Sequence, residues 1–297
     1  MKLFKVTVSL PQIVLLGAGC IMLISCAICS VVTGNKISTI ISGYDALCYP
    51  DEKTTLTAKL ETDDTFGIRE DIRSETMIFM LKNRQIGTAI TDDEGNARIS
   101  FDAPASTGDY IVTANLATDS KFKKTRGGEI LLAVRNQQQQ FIISDIDHTL
   151  CDASIMEFLL YKNANVKPLK NSVEAMNLLA EKYTVIYLTH RDDRFLLRTK
   201  EWLKMKGFPA GVSYYSDLPH SSLNAEEFKT PVVRELKARW PNIVYGFGDK
   251  KTDMDAYSQN GIECFIISAP DTSAEVPVSA HYVKDWMEIE RQLGLSK

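Results

Sequence analysis

Ordered cysteine and surplus positive charge are both scarce in this chain. The 297 residues hold six cysteines, irregularly placed and with no pair at zinc-ligand spacing. That excludes a disulfide scaffold and a cysteine-rich zinc module. Lys and Arg total 34 against 38 Asp and Glu, for a formal net charge of -4 and a pI near 5.7. Proteins that bind phosphate backbones normally show a basic face or stripe, so nucleic acid is not an expected partner. No internal repeat is evident. The length exceeds that of a usual single domain and predicts two soluble domains plus a short accessory segment.

One long apolar run is present, at the N-terminus. Ile13 to Val32 carries no charge and follows Lys2 and Lys5. About twenty apolar residues suffice for a membrane-spanning helix, whereas the core of a cleaved signal is usually roughly 7–15 residues. The segment 1–36 is therefore read as an uncleaved anchor. Lys2, Lys5 and the amino terminus outweigh Lys36 beyond the span, which places the N-terminus in the cytoplasm and the rest of the chain outside it. Leu23-Ile-Ser-Cys26 resembles a bacterial lipoprotein processing site, the alternative in which a lipidated Cys26 serves as tether. The apolar stretch Ala27 to Val32 favours the anchor.

Between Thr54 and Val134 come short strand-like runs: Thr54–Thr62, Thr76–Leu81, Gln85–Thr91, Ala97–Phe101, Tyr110–Ala114 and Glu129–Val134. Turn-rich stretches such as Thr91-Asp-Asp-Glu-Gly-Asn96 separate them, and no helical period intervenes. This spacing predicts an all-β sandwich over 45–136. It resembles the immunoglobulin-like modules of bacterial surface proteins, notably in Ile86-Gly-Thr-Ala-Ile-Thr-Asp-Asp-Glu-Gly-Asn-Ala97. No catalytic cluster lies here, so a spacer or binding module is expected, with no partner indicated.

Asn136 to Gln140 is a polar joint, and 137–297 reads differently. Strands are predicted at Phe141–Ser144, Thr184–Leu188, Val212–Tyr215, Ile243–Phe247 and Cys264–Ile267. Helical faces alternate with them: Val173, Met176 and Leu179; Phe195, Thr199 and Trp202; Val232, Val233, Leu236 and Trp240. Pro231 is placed in the first turn of the last of these helices. The alternation predicts an α/β domain with a Rossmann-like, doubly wound parallel sheet, whose ligands sit beyond the C-terminal strand ends.

Those strand ends carry the chemistry. Asp145 and Asp147 follow the first, close enough for one carboxylate to attack phosphorus while the other handles the leaving-group proton. As an isolated Asp-x-Asp-x-Thr the motif is equally a surface turn. Thr189 ends the second strand and is placed to donate to a phosphate oxygen. Lys229 offers an ammonium, with Lys237 and Lys250 as nearby alternatives. Asp249 and Asp253 follow Ile243-Val-Tyr-Gly-Phe-Gly248 and, with Asp145, offer the oxygen-rich environment magnesium prefers.

In this order the four elements resemble the haloacid dehalogenase-like hydrolase superfamily over Phe141 to Gly294. The resemblance implies an aspartyl-phosphate on Asp145, with Asp147 as general acid and then base. Thr189 and Lys229 would hold the phosphoryl group. Magnesium would be bound by Asp145, Asp249 and the backbone carbonyl of Asp147, with Asp253 as a second acidic contact. The intervals 151–183 and 190–228 are too short for a sizeable cap, and an open rim suits a macromolecule or a lipid headgroup. Ser144-Asp-Ile-Asp-His-Thr-Leu150, Tyr187-Leu-Thr-His-Arg191 and Gly246-Phe-Gly-Asp-Lys-Lys-Thr-Asp-Met-Asp-Ala-Tyr257 resemble lipin-type phosphatidate phosphatases. That resemblance implies phosphatidate as substrate and diacylglycerol as product. Lipins commonly have Gly where this chain has His148, and Asn-Arg where it has Asp249-Lys250. His148, His190 and Arg191 are candidate headgroup contacts, with buttressing of the strand end the other reading of His190 and Arg191. Cys151 has no base paired with it and is not expected to act as a nucleophile. The alternatives are a capless phosphatase acting on phosphoprotein, nucleotide or sugar phosphate, a catalytically silent phosphatidate-binding module, and an adhesion protein.

Overall fold

The computed structural model describes residues 36–63, 69–216, 224–269 and 276–295. The apolar segment Ile13 to Val32, with its anchor and Cys26 readings, lies outside the described residues. Among those described, no helix is long and apolar enough to cross a membrane.

Among the described residues, nine strands build the sandwich. They are β1 (Ile37–Tyr44), β2 (Ala46–Cys48), β3 (Lys53–Thr62), β4 (Thr76–Leu81), β5 (Arg84–Ile90), β6 (Asn96–Asp102), β7 (Gly108–Leu116), β8 (Phe122–Gly127) and β9 (Glu129–Val134). One sheet has the order β6-β3-β1-β8 and the other β2-β9-β7-β4-β5. Alternation aims Leu56, Ala58 and Leu60 of β3 into a core they share with Met77, Phe79, Val112 and Ile130. The sandwich starts at Ile37, eight residues before the expected boundary at 45, because β1 pairs with both β3 and β8. Strand β8 is not among the expected runs, for a physical reason. Its Lys123, Lys124 and Arg126 read as a loop, yet they suit a strand at the sheet's edge, where charge discourages pairing with another chain.

The second part carries β10 (Phe141–Ser144), α1 (Ile155–Leu160), α2 (Ser172–Ala180), β11 (Thr184–Asp192), α3 (Leu196–Lys206), β12 (Gly211–Ser216), α4 (Ala225–Arg239), β13 (Ile243–Gly248), α5 (Lys251–Ser258), β14 (Glu263–Ile267), β15 (Ala280–Val283) and α6 (Trp286–Gln292). Its sheet has the order β12-β11-β10-β13-β14-β15, with every pairing parallel. The central strand β10 is buried at all four positions, as a parallel sheet covered on both faces requires.

The polar joint does not separate the two parts. Strand β9 is apolar at consecutive positions because it is buried on both sides. Ile130, Leu132 and Val134 enter the sandwich core, whereas Leu131 and Ala133 pack with Phe141, Ile143, Ile186 and Trp240 of the α/β part. Asp45, buried at this junction, accepts from Lys200 Nζ (2.6 Å), Ser213 Oγ (2.7 Å), and the backbone N–H groups of Ser213 (3.1 Å) and Leu131 (2.9 Å). The turn after β11 is also held from the sandwich. Tyr44 Oη donates to Asp193 (2.5 Å) and Arg69 donates to the Arg194 carbonyl (2.7 Å).

Candidate active site

Parallel register brings the motif residues to one rim. Ser144 of β10 pairs with Tyr187 of β11 and Phe247 of β13. Asp145 therefore leaves the central strand with Thr189 on one side and Asp249 on the other. The Asp145 N–H donates to the Phe247 carbonyl (2.9 Å), and Thr149 Oγ1 donates to Asp145 Oδ2 (3.4 Å). Trp286 of α6 fixes the turn from behind, donating from Nε1 to the Thr149 carbonyl (2.8 Å).

His148, at the tip of this turn, has φ +57° and is exposed. A left-handed conformation is where glycine is easiest. Replacing His148 with Gly should relieve about 1–2 kcal/mol of backbone strain, against roughly 0.5–1 kcal/mol of added unfolded-state entropy. Denaturant midpoints should thus be unchanged or slightly raised. A loss above about 1 kcal/mol would show instead that the imidazole supports the fold.

Lys229 lies elsewhere than the sequence placed it. Rather than preceding a helix that begins at Pro231, it lies inside α4, which starts at Ala225 with Asn224 as cap, its side chain accepting from the Glu226 N–H (3.0 Å). Pro231 is internal and removes one backbone donor. Lys229, Val233 and Leu236 form the buried face of α4, at the i, i+4, i+7 spacing of a core stripe. A lysine in an apolar stripe is the signal that could have placed it. Its Nζ donates to Asp145 Oδ1 (2.6 Å) and Asp253 Oδ1 (2.5 Å).

Burial, the largest influence on Asp145, pushes its carboxyl up to about 7. Lys229 opposes that shift, while Asp253 and Asp147 add to it. Burial alone would pull the Lys229 ammonium down, but Asp145 and Asp253 outweigh it and hold the group above the ordinary lysine value. Lys229 thus stays charged, and one ammonium is divided between two buried carboxylates. Asp249 is raised by burial and by Asp253.

Carboxylate oxygens of Asp145, Asp249 and Asp253 all lie within 4.8 Å of one another. Asp253 Oδ2 accepts from the backbone N–H of Asp249 (3.3 Å) and Lys250 (3.2 Å), so both its oxygens are engaged within the protein. Asp249 Oδ1 is buried with no hydrogen-bond partner. An orphaned carboxylate oxygen beside two more carboxylates fits a hard divalent cation such as magnesium. Gly248 lets Asp253 come this close, since a Cβ there would stand 2.3 Å from the Asp253 Cβ.

Asp147 is held separately. Arg191 grips it as a fork, with Nε 3.0 Å from Oδ2 and Nη2 2.8 Å from Oδ1. The guanidinium has 0% side-chain exposure, donates to Thr199 Oγ1 (3.0 Å) and lies over the Phe158 ring (3.9 Å). Of the two readings open for Arg191, headgroup contact and buttress, its geometry is the buttress: the side chain turns inward onto Asp147. Strand β11 runs on to Asp192, past the expected end at Leu188, and carries Arg191 into the interior. Thr189 is fully buried, its Oγ1 accepting from the Arg191 N–H (3.2 Å). The His190 ring is half-buried and lies 5.7 Å from that of Phe228. Burial pushes the Cys151 thiol up to about 12 despite Arg191, which keeps it protonated and unsuited to attack.

No curated protein matches the chain. Among solved structures, it is similar to a chain of the Pnkp1/Rnl/Hen1 RNA repair complex, at 14% identity and a TM-score of 0.37, covering 48% of this chain and 50% of that one. A haloacid dehalogenase-like family hydrolase from Streptococcus pneumoniae is similar at 15% identity and a TM-score of 0.37, over 52% of this chain and 98% of its own. The D00-D0 domain of Intimin is similar at 14% identity and a TM-score of 0.25, over 36% of this chain and 51% of its own. The chain spans about half the length of the first and the last of these. Residues 142–268 match the family model described as PITM 1-3, LNS2 domain, a segment that contains Asp145, Asp147, Thr189, Lys229, Asp249 and Asp253.

Proposed function

We propose that this chain is a magnesium-dependent phosphomonoesterase that works through Asp145, with phosphatidate as its substrate. The observation that carries the reading is the orphaned Asp249 Oδ1 beside a buried Asp145 already oriented by Lys229 and Thr149. A purely structural ion-pair cluster has no reason to leave a buried carboxylate oxygen without a partner.

Asp145 attacks phosphorus through a carboxylate oxygen as the bond to the leaving oxygen breaks. Asp147, gripped by Arg191, gives its proton to that oxygen. The carboxylate of Asp147 then takes a proton from the water whose oxygen bonds to phosphorus, and the bond from Asp145 to phosphorus breaks. Thr189 and Lys229 border the phosphoryl position. A magnesium ion held by Asp145 and Asp249, with Asp253 behind them and the Asp147 carbonyl added by the family resemblance, would supply the charge that lets two anionic groups approach.

Phosphatidate is favoured because the lipin-type motifs and the LNS2 match fall on the same residues. The connections also suit it: only α1 and α2 lie between β10 and β11, and only a single 3-10 turn (Asp193–Phe195), α3 and β12, among the described residues, lie between β11 and α4. Among the described residues, no cap domain encloses the rim there. Phosphate release should be measured from phosphatidate in mixed micelles and from soluble phosphomonoesters, with magnesium or with EDTA. The expected result is release from phosphatidate that stops with EDTA and returns with magnesium. Turnover of soluble esters alone would move the substrate to that class, and turnover of neither would overturn the reading.

A further inference from the structure

Helix α1 has two unlike faces and sits one side chain away from the proposed acid. Its inner residue, Phe158, is fully buried beneath Arg191 and Arg198, whose guanidinium carbons lie 3.9 and 4.4 Å from the ring centre. Arg191 in turn holds Asp147. On the outside, Met156 is 62% exposed, Leu160 78% and the adjoining Tyr161 49%. Met156 and Leu160 are an i, i+4 pair, so their side chains share one face. Such a cluster of large apolar groups in water marks a contact surface.

The charge around this face points to what it meets. Met156 to Lys170 contains a single acid, Glu157, against Lys162, Lys167 and Lys170, all three exposed, in a chain whose overall charge is -4. The lysines do not trail away from the site. The Asp152 N–H donates to the Lys167 carbonyl (3.0 Å), the Leu169 N–H donates to the Leu150 carbonyl (2.7 Å), and Pro168 bridges to Cys151. The basic segment is thereby laid against the turn that carries Asp145 and Asp147.

We propose that α1 and the 162–170 segment form a membrane-docking face. Met156, Leu160 and Tyr161 would enter the interfacial layer of a bilayer, while Lys162, Lys167 and Lys170 lie on anionic headgroups. Apolar side chains flanked by lysines are the composition that binds an anionic lipid surface, and a tyrosine at the edge suits the headgroup level. The inference rests on the phosphatidate reading for its purpose, since it seats the open rim on the surface where such headgroups are presented. It does not rest on that reading for its test.

The full chain carrying Tyr161→Trp is reconstituted in vesicles of phosphatidylcholine with phosphatidylserine, with and without brominated acyl chains. Trp202, Trp240 and Trp286 are buried in the fold and provide the unquenched background. The added emission should be quenched by roughly half or more in anionic vesicles, and clearly less in phosphatidylcholine alone. The second variant, Met156→Ser with Leu160→Ser, should lower activity on phosphatidate in vesicles about tenfold at low surface concentration, leaving any turnover of p-nitrophenyl phosphate unchanged. An introduced indole that stays unquenched in anionic vesicles overturns the proposal and leaves the face to a protein partner. Equal losses on both substrates overturn it in favour of a structural role. Quenching without hydrolysis of phosphatidate upholds the docking face and rejects the substrate reading.

Discussion

Replacing Lys229 with Met should lower the stability of the metal-free protein by about 3–5 kcal/mol near pH 8, the usual cost of stranding buried charge. Asp145 and Asp253 have side-chain exposures of 5% and 0%, and both lose their shared cation. The effect depends on pH with a definite sign. Asp145 already has a folded-state value raised from 3.8 to about 7, and loss of the ammonium raises it further. A carboxyl raised on folding costs stability above its unfolded value. The penalty should therefore be small at pH 4, grow as pH rises through 7, and level off beyond the folded value. Magnesium should recover part of the loss by supplying the missing positive charge. Chemical denaturation at pH 4.5 and 8, with and without magnesium, measures all three effects. Equal destabilisation at both pH values would show that the cost comes from lost packing in α4 and not from charge.

Arg191→Met should be the other large change. The guanidinium is fully buried, whereas Asp147 keeps 18% side-chain exposure, so water partly rescues the abandoned carboxylate. The expected cost is nearer 3 than 5 kcal/mol. Catalysis should suffer selectively. If the fork fixes Asp147 for proton transfer, its loss removes much of a general acid's contribution, about 10²–10⁴-fold, on alkyl phosphates with poor leaving groups. Aryl phosphates, whose leaving groups need little protonation, should lose much less in the first step. Arg191→Lys should restore charge without the planar fork and recover only part of the rate. The same fold-loss on alkyl and aryl substrates would mean that Arg191 acts through general stability alone.

Much of the α/β part is legible in the sequence because a parallel sheet is buried on both faces and its strands appear as unbroken apolar runs. Strand β10 begins and ends where Phe141–Ser144 predicts, as do β4 and β9. The acidic cluster is legible too, since Asp145, Asp249 and Asp253 each stand directly after a strand or a few residues beyond one. What escapes depends on context. Edge strands β8 and β15 lack the apolar alternation of central strands. The start of α4 is hidden by Pro231, which reads as a first-turn residue although the Asn224 cap starts the helix at Ala225, six residues earlier. The sequence leaves Arg191 open between headgroup contact and buttress, because arginine is rarely buried. Its partners Asp147 and Phe158 are distant in sequence, and with Thr199 they meet only when β11, α3 and α1 pack. The two-sided burial of β9 is likewise invisible until its second face has a neighbour.

Whether Asp145 is the nucleophile is tested most directly by rapid acid quench of a single turnover with a ³²P-labelled phosphomonoester and magnesium. The expected result is a transient protein-bound label, stable in acid and released by hydroxylamine, on the peptide containing Asp145 and absent from Asp145→Asn. Phosphate release with no labelled protein at any time, or labelling that persists in Asp145→Asn, would contradict it.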